Sequence, residues 1–293
     1  MDNIKESSGI LKFLYNTVPG RAVLKVITSP TISKIGGAYM DSKLSTIHIK
    51  GFIKNNNIDM SQYEKAKYKS FNEFFTRKIL PEKRPVCKDE DALISPCDGR
   101  LSAYHIDSDS RFYIKKSRYS IQDLLQGSKA AADYNGGICL ILRLCVDDYH
   151  RYCYVANGVK SAQRKIRGVF HTVNPVANDY APIYKMNTRE YCLVQTEELG
   201  TVLQMEVGAL MVGRIKNHKK KVSVVHRGEE KGMFEFGGST VVLLTEPGKV
   251  QTDEDLVRNS ATGAETLVKM GEKIGEQTGG SDAVYIVIPV DGN

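Results

Sequence analysis

Four short polar segments interrupt the strand-like sequence that follows residue 90: SPCDG at 95–99, DDYHRYC at 147–153, FHTVNP at 170–175 and FGGST at 236–240. Among their residues are an aspartate, two histidines and a serine that together could activate a hydroxyl group. In such an arrangement a general base takes the serine proton and a carboxylate fixes the tautomer of the imidazole. The candidate catalytic residues are therefore Asp98, His150, His171 and Ser239.

Each of these segments is a weak signal when it is considered alone. Asp98 precedes Gly99 and is typical of a turn, and a lone histidine is more often a core residue than a catalyst. FGGST does not fit the GxSxG elbow of hydrolases, because position 241 is valine. Its tandem glycines predict a sharp, exposed turn immediately before Ser239, where the strand TVVLL begins. A simple hairpin turn is the alternative interpretation of the same pattern.

Composition and charge narrow the class of protein. No segment approaches the roughly 18 uninterrupted apolar residues that a membrane-spanning helix needs. The N-terminal MDNIKESSG is too polar for a signal peptide. We therefore expect a cytoplasmic location, with peripheral attachment to the cell membrane left open. The net charge of +7 favours anionic partners. Because neither an RNA-binding strand signature nor a helix-turn-helix pattern is present, an anionic membrane surface is expected and nucleic acid is not.

The six cysteines form no CxxC pair and show no paired Cys/His spacing. We therefore expect reduced thiols and no structural metal site.

The N-terminal part of the chain has a helical texture. Residues 1–60 suggest short helices interrupted at Pro19-Gly20 and Ser29-Pro30. Their apolar residues with flanking lysines fit either a membrane interface or the cap of a soluble core. Ser70, with Glu73 three residues later, predicts the start of another helix.

From residue 92 onward, short β-branched or aromatic segments bounded by Gly, Asn or Pro predict strands, with one helix at 119–127. The strand-like segments are ICLILRLCV, RYCYVAN, GVFHTV, YCLVQT, TVLQMEVGALMVGRI, KVSVVH, STVVLLT and AVYIVIPV. The predicted fold class is α+β, with a predominantly antiparallel β catalytic domain over 86–293. An N-terminal helical, membrane-associating region is predicted over 1–85.

Taken together, these segments resemble the phosphatidylserine decarboxylases, a family of pyruvoyl-dependent enzymes that mature by cutting their own chain. The resemblance covers residues 70–245 and follows the family's order of motifs. The matching segments are FNEFFTRKILPEKRPV, SPCDGR, FYIKKSRYSIQDLL, DDYHRY, HTVNP, NTRE, VGALMVGRI and KGMFEFGGSTVVLL. A series of motifs in this order is far more specific than any one of them.

The resemblance implies that the precursor, a zymogen, is cut autocatalytically between Gly238 and Ser239. Ser239 Oγ would attack the Gly238 carbonyl, the ester would be eliminated, and hydrolysis of the dehydroalanine would leave a pyruvoyl group as covalent cofactor. That group would form a Schiff base with phosphatidylserine and act as an electron sink while carbon dioxide leaves, giving phosphatidylethanolamine. The mature protein would be a two-chain heterodimer, with a dimer of these as a further arrangement.

The resemblance also assigns roles to the other candidates. Asp98 matches the aspartate of the family's SPxDG motif, and His150 matches the histidine of YHR that assists substrate binding and decarboxylation. Many members carry a second histidine three residues later for self-cleavage, but here that residue is Cys153. A thiol with a pKa near 8.5 is a poorer base than imidazole. His171 is the candidate replacement, and a surface-strand histidine is the alternative interpretation.

Two other functions fit parts of the same pattern. One is a pyruvoyl decarboxylase of a soluble amino acid, against which the amphipathic N-terminus and the basic charge argue. The other is a lipid-binding relative that never cleaves, because the histidine is absent at Cys153.

Overall fold

The computed structural model describes residues 13, 17–20, 23, 30–107, 109, 111–114, 117–168, 187–208, 214–237 and 239–279. Most of the helical sequence predicted before residue 30, nearly all of GVFHTV and the whole of AVYIVIPV lie outside these residues. His171 and Gly238 lie outside them as well.

The described α-helices are mostly short. They are α1 (Pro30–Met40), α2 (Ile47–Asn55), α3 (Phe71–Phe75), α4 (Ile121–Leu124) and α5 (Glu254–Ala261). Single 3-10 turns cover Lys43–Thr46, Met60–Gln62, Pro81–Lys83 and Lys129–Tyr134. None of the described helices combines the length and the apolar character needed to cross a bilayer.

The helix start predicted at Ser70 is confirmed. Ser70 Oγ accepts a hydrogen bond from the Glu73 backbone N–H at 3.2 Å, and the Glu73 carboxylate accepts one from the Lys69 N–H. The first contact satisfies an amide group that the first turn of a helix leaves without an intrahelical partner, and the second holds the residue before the cap. The cap thus fixes where the aromatic helix α3 begins.

Strands dominate the chain from residue 92. They are β1 (Ala92–Ile94), β2 (Gly99–His105), β3 (Arg111–Ile114), β4 (Ser117–Ser120), β5 (Ile138–Leu144), β6 (Arg151–Cys153), β7 (Gly158–Lys160), β8 (Arg164–Ile166), β9 (Arg189–Gln195), β10 (Thr201–Gly208), β11 (Ile215–Asn217), β12 (Ser223–Val225), β13 (Glu230–Phe234), β14 (Ser239–Thr245), β15 (Val250–Thr252), β16 (Thr266–Val268) and β17 (Lys273–Gln277).

The largest sheet of the described chain has the strand order β12-β7-β9-β10-β14-β5-β2-β16, with β8 also paired to β9. All of these pairs are antiparallel. The remaining described strands form the sheets β1-β17-β15, β11-β13-β6 and β3-β4. Helices together with antiparallel sheets confirm the predicted α+β class.

Strand β14 lies near the middle of the large sheet and is buried on both faces. Val242 and Leu244 face a core that is covered by α4 and the turn at Lys129–Tyr134. Val241 and Leu243 face the opposite core, which the two three-stranded sheets cover. Burying each such side chain stabilises the fold by roughly 1.5–3 kcal/mol. This explains why the sequence of the strand is a continuous apolar run and does not alternate between apolar and polar residues.

A buried ion pair ties β13 to the large sheet. Lys231 Nζ lies 2.6 Å from Glu206 Oε1 on β10, and both side chains are fully buried. Asn217 accepts a hydrogen bond from Lys231 Nζ at 2.9 Å and donates one to Glu206 Oε2 at 3.1 Å. Burial raises the pKa of Glu206, and the nearby ammonium opposes that shift. Because the charges are paired and hydrogen-bonded, the interior between the two sheets tolerates them.

One described helix has no clear signature in the sequence. Helix α5 follows β15 and packs on β2, where Ser260 Oγ accepts a hydrogen bond from the Ala103 N–H at 2.8 Å. Its sequence is polar, and Leu256 is its buried residue. A helix anchored by so few apolar side chains gives little periodicity to detect.

Candidate active site

Ser239 is the first residue of β14 and is fully buried. It pairs with Gly208 of β10 on one side and with Leu144 of β5 on the other. Its Oγ makes no hydrogen bond within the described part of the chain. A buried hydroxyl without a partner costs about 1–3 kcal/mol, so this position calls for an explanation.

The turn predicted before Ser239 is described as far as Gly237, and that residue is not exposed. Gly237 has φ +141°, a conformation that residues with a side chain rarely adopt. Gly237 is nevertheless buried, and the exposure expected from the glycine pattern is wrong. The reason is the neighbouring aromatic cluster: the Phe236 ring lies 5.0 Å from that of Phe71 and 5.2 Å from that of Phe75, between centroids. Helix α3 therefore covers this turn.

His150 is fully buried and lies just before β6. Its Nδ1 is 2.9 Å from the carbonyl oxygen of Asp148. A carbonyl only accepts hydrogen bonds, so Nδ1 carries the proton and Nε2 keeps its lone pair. Among the described residues Nε2 has no partner. Burial lowers the pKa of this imidazole from 6.5 to about 3, which keeps it neutral at physiological pH.

An aromatic contact connects His150 with the turn that precedes Ser239. The imidazole packs against the Phe75 ring at 4.1 Å between centroids, and Phe75 also contacts Phe236. In addition, the Phe234 N–H donates to the His150 carbonyl at 2.9 Å. The structure thus brings the loop before Ser239 and His150 into one packed unit.

Asp98 is held by two other groups. Arg84 binds its carboxylate through Nε, at 2.7 Å from Oδ1, and through a second contact from Nη2 to Oδ2. The Met270 N–H also donates to Oδ1 at 3.0 Å. None of these contacts reaches His150, whose Nδ1 is bound to Asp148. Asp98 therefore links Arg84, which lies upstream of Ser239, with Met270, which lies downstream of it. The catalytic role predicted for Asp98 stays a prediction.

Cys153 cannot replace a histidine as a base. Its side chain is buried in the core with Phe234 and Val241, and Sγ lies 3.9 Å from the Ser95 carbonyl oxygen. Burial raises the pKa of the thiol to about 12. Since the thiolate is the form that accepts protons, this residue is inert at neutral pH. His171, the predicted replacement, lies outside the described residues.

One cluster in the described chain has the composition of a metal site. Cys145, Asp147 and Asp148 place ligand atoms within 4.8 Å of one another. Arg143 already donates to Cys145 Sγ at 3.0 Å, and Arg100 pairs with Asp148 at 3.2 Å. Two guanidinium groups at the same place oppose the binding of a cation, so this cluster does not suggest a metal centre.

Sequence reasoning missed the contacts that surround the loop. Asn72 and Phe75 lie in the helix recognised from its Ser70 cap, yet nothing in FNEFF shows that they touch residue 236 or His150. Arg84, the partner of Asp98, is likewise one of many arginines. Their roles follow from contacts between segments that are far apart in the sequence. A single sequence does not show such contacts.

Comparisons with known proteins agree on one family. A model described as phosphatidylserine decarboxylase matches residues 71–276. "Phosphatidylserine decarboxylase proenzyme 2" of Clostridium acetobutylicum is 48% identical over 270 residues, 92% of each chain. "Phosphatidylserine decarboxylase proenzyme" of Clostridium perfringens is 40% identical over 282 residues, 94% of this chain and 96% of the relative. The same name is given to a protein of Ruminiclostridium cellulolyticum that is 42% identical over 271 residues, 91% of this chain and 90% of the relative.

The burial of His150 predicts a specific pH dependence of stability. The unfolded chain binds a proton at this imidazole near pH 6.5, but the folded chain does so only near pH 3. His150 therefore lowers the free energy of unfolding by up to about 1.4 kcal/mol per pH unit as the pH falls across that window. In His150→Leu this contribution should disappear. Urea unfolding of both proteins at several pH values between 6.5 and 4 measures the difference, and equal slopes would contradict a buried neutral imidazole.

Proposed function

We propose that this chain, which belongs to the phosphatidylserine decarboxylase family, is a proenzyme that cuts itself between Gly238 and Ser239. The two-chain product then decarboxylates phosphatidylserine to phosphatidylethanolamine and carbon dioxide. The observation that supports this most directly is the buried hydroxyl of Ser239, which has no hydrogen-bond partner among the described residues and lies two residues after Gly237 with its positive φ. The proenzyme names of its relatives agree with a chain that is processed.

The cut needs no external oxidant or reductant. Ser239 Oγ adds to the Gly238 carbonyl carbon, the C–N bond breaks, and the peptide becomes an ester with a free amine at residue 239. Loss of the α-proton then expels the new Gly238 carboxylate and leaves dehydroalanine. Tautomerisation to the imine and addition of one water release ammonia and leave a ketone. The ketone is the carbonyl of a pyruvoyl group.

The surroundings of Ser239 suit this chemistry. Its hydroxyl is not engaged by another acceptor within the described chain, so it is free to approach the carbonyl. Glycine at 238 has no side chain to crowd the attacked carbon. The buried position excludes most water, which would otherwise compete for the ester. The ladder to Gly208 and Leu144 fixes the Cα of residue 239 throughout.

At position 239 the pyruvoyl carbonyl supplies an electron sink for the electrons released when the substrate loses carbon dioxide. The residues that hold this position are Gly208 and Leu144, the strand partners of residue 239. We assign His150 to substrate binding and decarboxylation, since its neutral Nε2 has no partner among the described residues and can accept a hydrogen bond from the substrate.

The two chains should remain together after the cut. Strand β14 would begin the short chain and stay between β10 and β5 of the long chain. Asp98 of the long chain would also keep its hydrogen bond to the Met270 N–H of the short one. We therefore propose a non-covalent heterodimer as the active form.

The first test is Ser239→Ala, which should give one full-length chain on a denaturing gel and no carbonyl cofactor. Alanine has no oxygen to start the acyl shift, whereas Ser239→Cys should still cleave slowly. The matched control is Thr245→Val, because Thr245 is also a buried, unpartnered hydroxyl of β14 in the described chain. It should cleave like the wild type. Two chains in the alanine variant would disprove the proposed cleavage.

The base for self-cleavage is proposed to be His171, because the Cys153 thiol is inert. His171→Ala should slow chain cleavage by about a hundredfold to ten-thousandfold, the usual cost of removing a general base. Cys153→Ala should cleave almost normally, and His150→Ala should cleave but lose decarboxylation. Time courses on gels, combined with carbon dioxide release, measure both steps. If His171→Ala cleaves normally and Cys153→Ala or His150→Ala does not cleave, the residue replaced in the blocked variant is the general base and the assignment to His171 is wrong.

We also propose that residues 1–85 form a membrane-associating region which holds the enzyme peripherally on the cytoplasmic side of the cell membrane. Ile32, Ile35 and Tyr39 lie on one face of α1 and are exposed, and Leu44 and Ile47 are exposed nearby. The lysines at 34, 43, 50 and 54, which lie in or beside α1 and α2, are exposed as well. An apolar stripe with basic flanks fits an anionic bilayer surface.

This surface predicts that Ile35→Glu with Ile47→Glu weakens binding to vesicles of phosphatidylcholine and phosphatidylglycerol by about tenfold or more, since apolar contacts are lost and charge is added. Leu267→Glu is the matched control, because Leu267 is equally exposed on β16. Vesicle sedimentation measures the affinity, and added salt should weaken it by screening the lysines. If the double variant and Leu267→Glu bind the vesicles with equal affinity, the surface that contacts the membrane lies elsewhere.

A further inference from the structure

The loop that leads to the proposed cut is held by polar side chains from two separate parts of the chain. Glu235 and Phe236 lie between the end of β13 and Ser239. The Phe236 N–H donates a hydrogen bond of 2.9 Å to Asn72 Oδ1, and Asn72 is buried. Glu235, also buried, pairs with Arg214 and with Lys216. Neighbouring loop residues are thus fixed by contacts of different kinds.

These contacts are joined into one chain of hydrogen bonds and ion pairs. Asn72 Nδ2 donates to Asp41 Oδ1 at 2.8 Å, and Asp41 Oδ2 pairs with Arg214 at 2.5 Å. Because Asp41 can only accept and the Phe236 N–H can only donate, the orientation of the Asn72 amide is fixed. Arg214 closes the chain at Glu235. Asn72 is therefore the link between the helical region and the backbone of residue 236.

Aromatic packing supports the same position. The Phe236 ring lies 6.4 Å from that of Phe52 on α2, and it also contacts Phe71 and Phe75. The three contacts are edge-on, the favourable arrangement for rings at these distances. Phe75 in turn packs on His150. The loop is thus held against the same helix that holds the candidate catalytic imidazole.

Self-cleavage makes such an anchor necessary. Ser239 is fixed on its downstream side by the ladder of β14, but only Gly237 and Gly238 separate it from Phe236. Glycine has the largest backbone freedom of any residue, so these two residues do not by themselves hold the Gly238 carbonyl against Ser239 Oγ. An attack of this kind needs the reacting atoms close and aligned, and a misplacement of about 1 Å can cost a hundredfold in rate.

We propose that Asn72 is a positioning residue for self-cleavage, which holds Phe236 so that the Gly238 carbonyl meets Ser239 Oγ. The Asn72 amide and the loop are held in their relative positions by Asp41, Arg214 and Glu235. This inference rests on the proposed function, since it concerns the same cut. It adds that the N-terminal helical region takes part in maturation.

The test compares cleavage rates with thermal stability. Asn72→Ala should slow cleavage by about a hundredfold. Asn259→Ala is the matched control, because it also removes a partly buried side-chain hydrogen bond, to Thr266 Oγ1 at 2.8 Å, away from the loop. The control should cleave at the wild-type rate even where its melting temperature falls as much as that of Asn72→Ala. Cleavage of Asn72→Ala as fast as that of the control would overturn the inference.

A swap of the two side chains tests the geometry itself. Asn72→Asp sets two carboxylates against each other and should slow cleavage. Adding Asp41→Asn should restore most of the rate, because the new amide at position 41 can then donate to the carboxylate at position 72, which still accepts from the Phe236 N–H. If the double variant cleaves as slowly as Asn72→Asp, the positioning role is contradicted. The comparison of these two variants also decides the question if Asn72→Ala does not fold. An uncut wild type would overturn the proposed function and this inference together, whereas a cut wild type with unslowed Asn72 variants would overturn the inference alone.

Hydroxylamine distinguishes the affected step. It attacks an ester far faster than ordinary peptide bonds, and cuts at the susceptible Asn135-Gly136 and Asn157-Gly158 bonds give fragments of other sizes. Release of the chain that begins at residue 239 therefore reports molecules in which the acyl shift has occurred but elimination has not. If Asn72 positions the carbonyl for the shift, hydroxylamine should release no more of this chain from Asn72→Ala than slow spontaneous cleavage does. Rapid release of the short chain would show that the ester forms normally and would overturn the role assigned to Asn72.

Discussion

The hydrogen-bonded position of strand β14 is the constraint on which the rest of this structure depends. The strand pairs with β10 and β5 from its first residue and is buried on both faces. A reaction at Ser239 therefore takes place at the first residue of a buried strand that is paired on both sides. One of the two reacting groups is fixed by the sheet, so all adjustment has to occur on the upstream side. This explains why the short segment before Ser239 is covered by helix α3 and not left in solvent, as glycine-rich turns usually are.

The buried polar groups of this structure are of two kinds, those with hydrogen-bond partners and those without partners among the described residues. The Lys231–Glu206 pair is completely buried, and Asn217 supplies hydrogen bonds to both partners. By contrast, Ser239 Oγ and His150 Nε2 are buried without partners in the described chain. The first arrangement stabilises the contact between two sheets, whereas the second leaves reactive atoms available at a cost of about 1–3 kcal/mol each. Such a cost is typical of sites where structure is adapted to chemistry.

Much of the fold was predictable because local patterns set it. The apolar runs that became β5, β10 and β14 are β-branched and bounded by turn residues, and the Ser70 cap marks the start of α3. Other features depend on residues far apart in sequence. The burial of Gly237 follows from contacts of Phe236 with α3, and the inert state of Cys153 follows from its packing under β14. The Arg84–Asp98 pair and the Asp148 carbonyl that fixes the tautomer of His150 are of the same kind. A single sequence lists these residues but does not pair them.

The placement of helix α2 connects the proposed membrane surface with the proposed reaction. Ile47 and Lys50 of this helix are exposed, while Phe52 packs against Phe236 of the loop. A phospholipid cannot leave its bilayer cheaply, because each methylene group exposed to water costs about 0.8 kcal/mol and two acyl chains contain many of them. An enzyme that acts on the head group must therefore bring its reactive position to the surface of the membrane. Helices that contact lipid on one side and the loop beside residue 239 on the other meet that requirement. The same helices would then both orient the mature site toward its substrate and hold the precursor in the geometry from which that site is made.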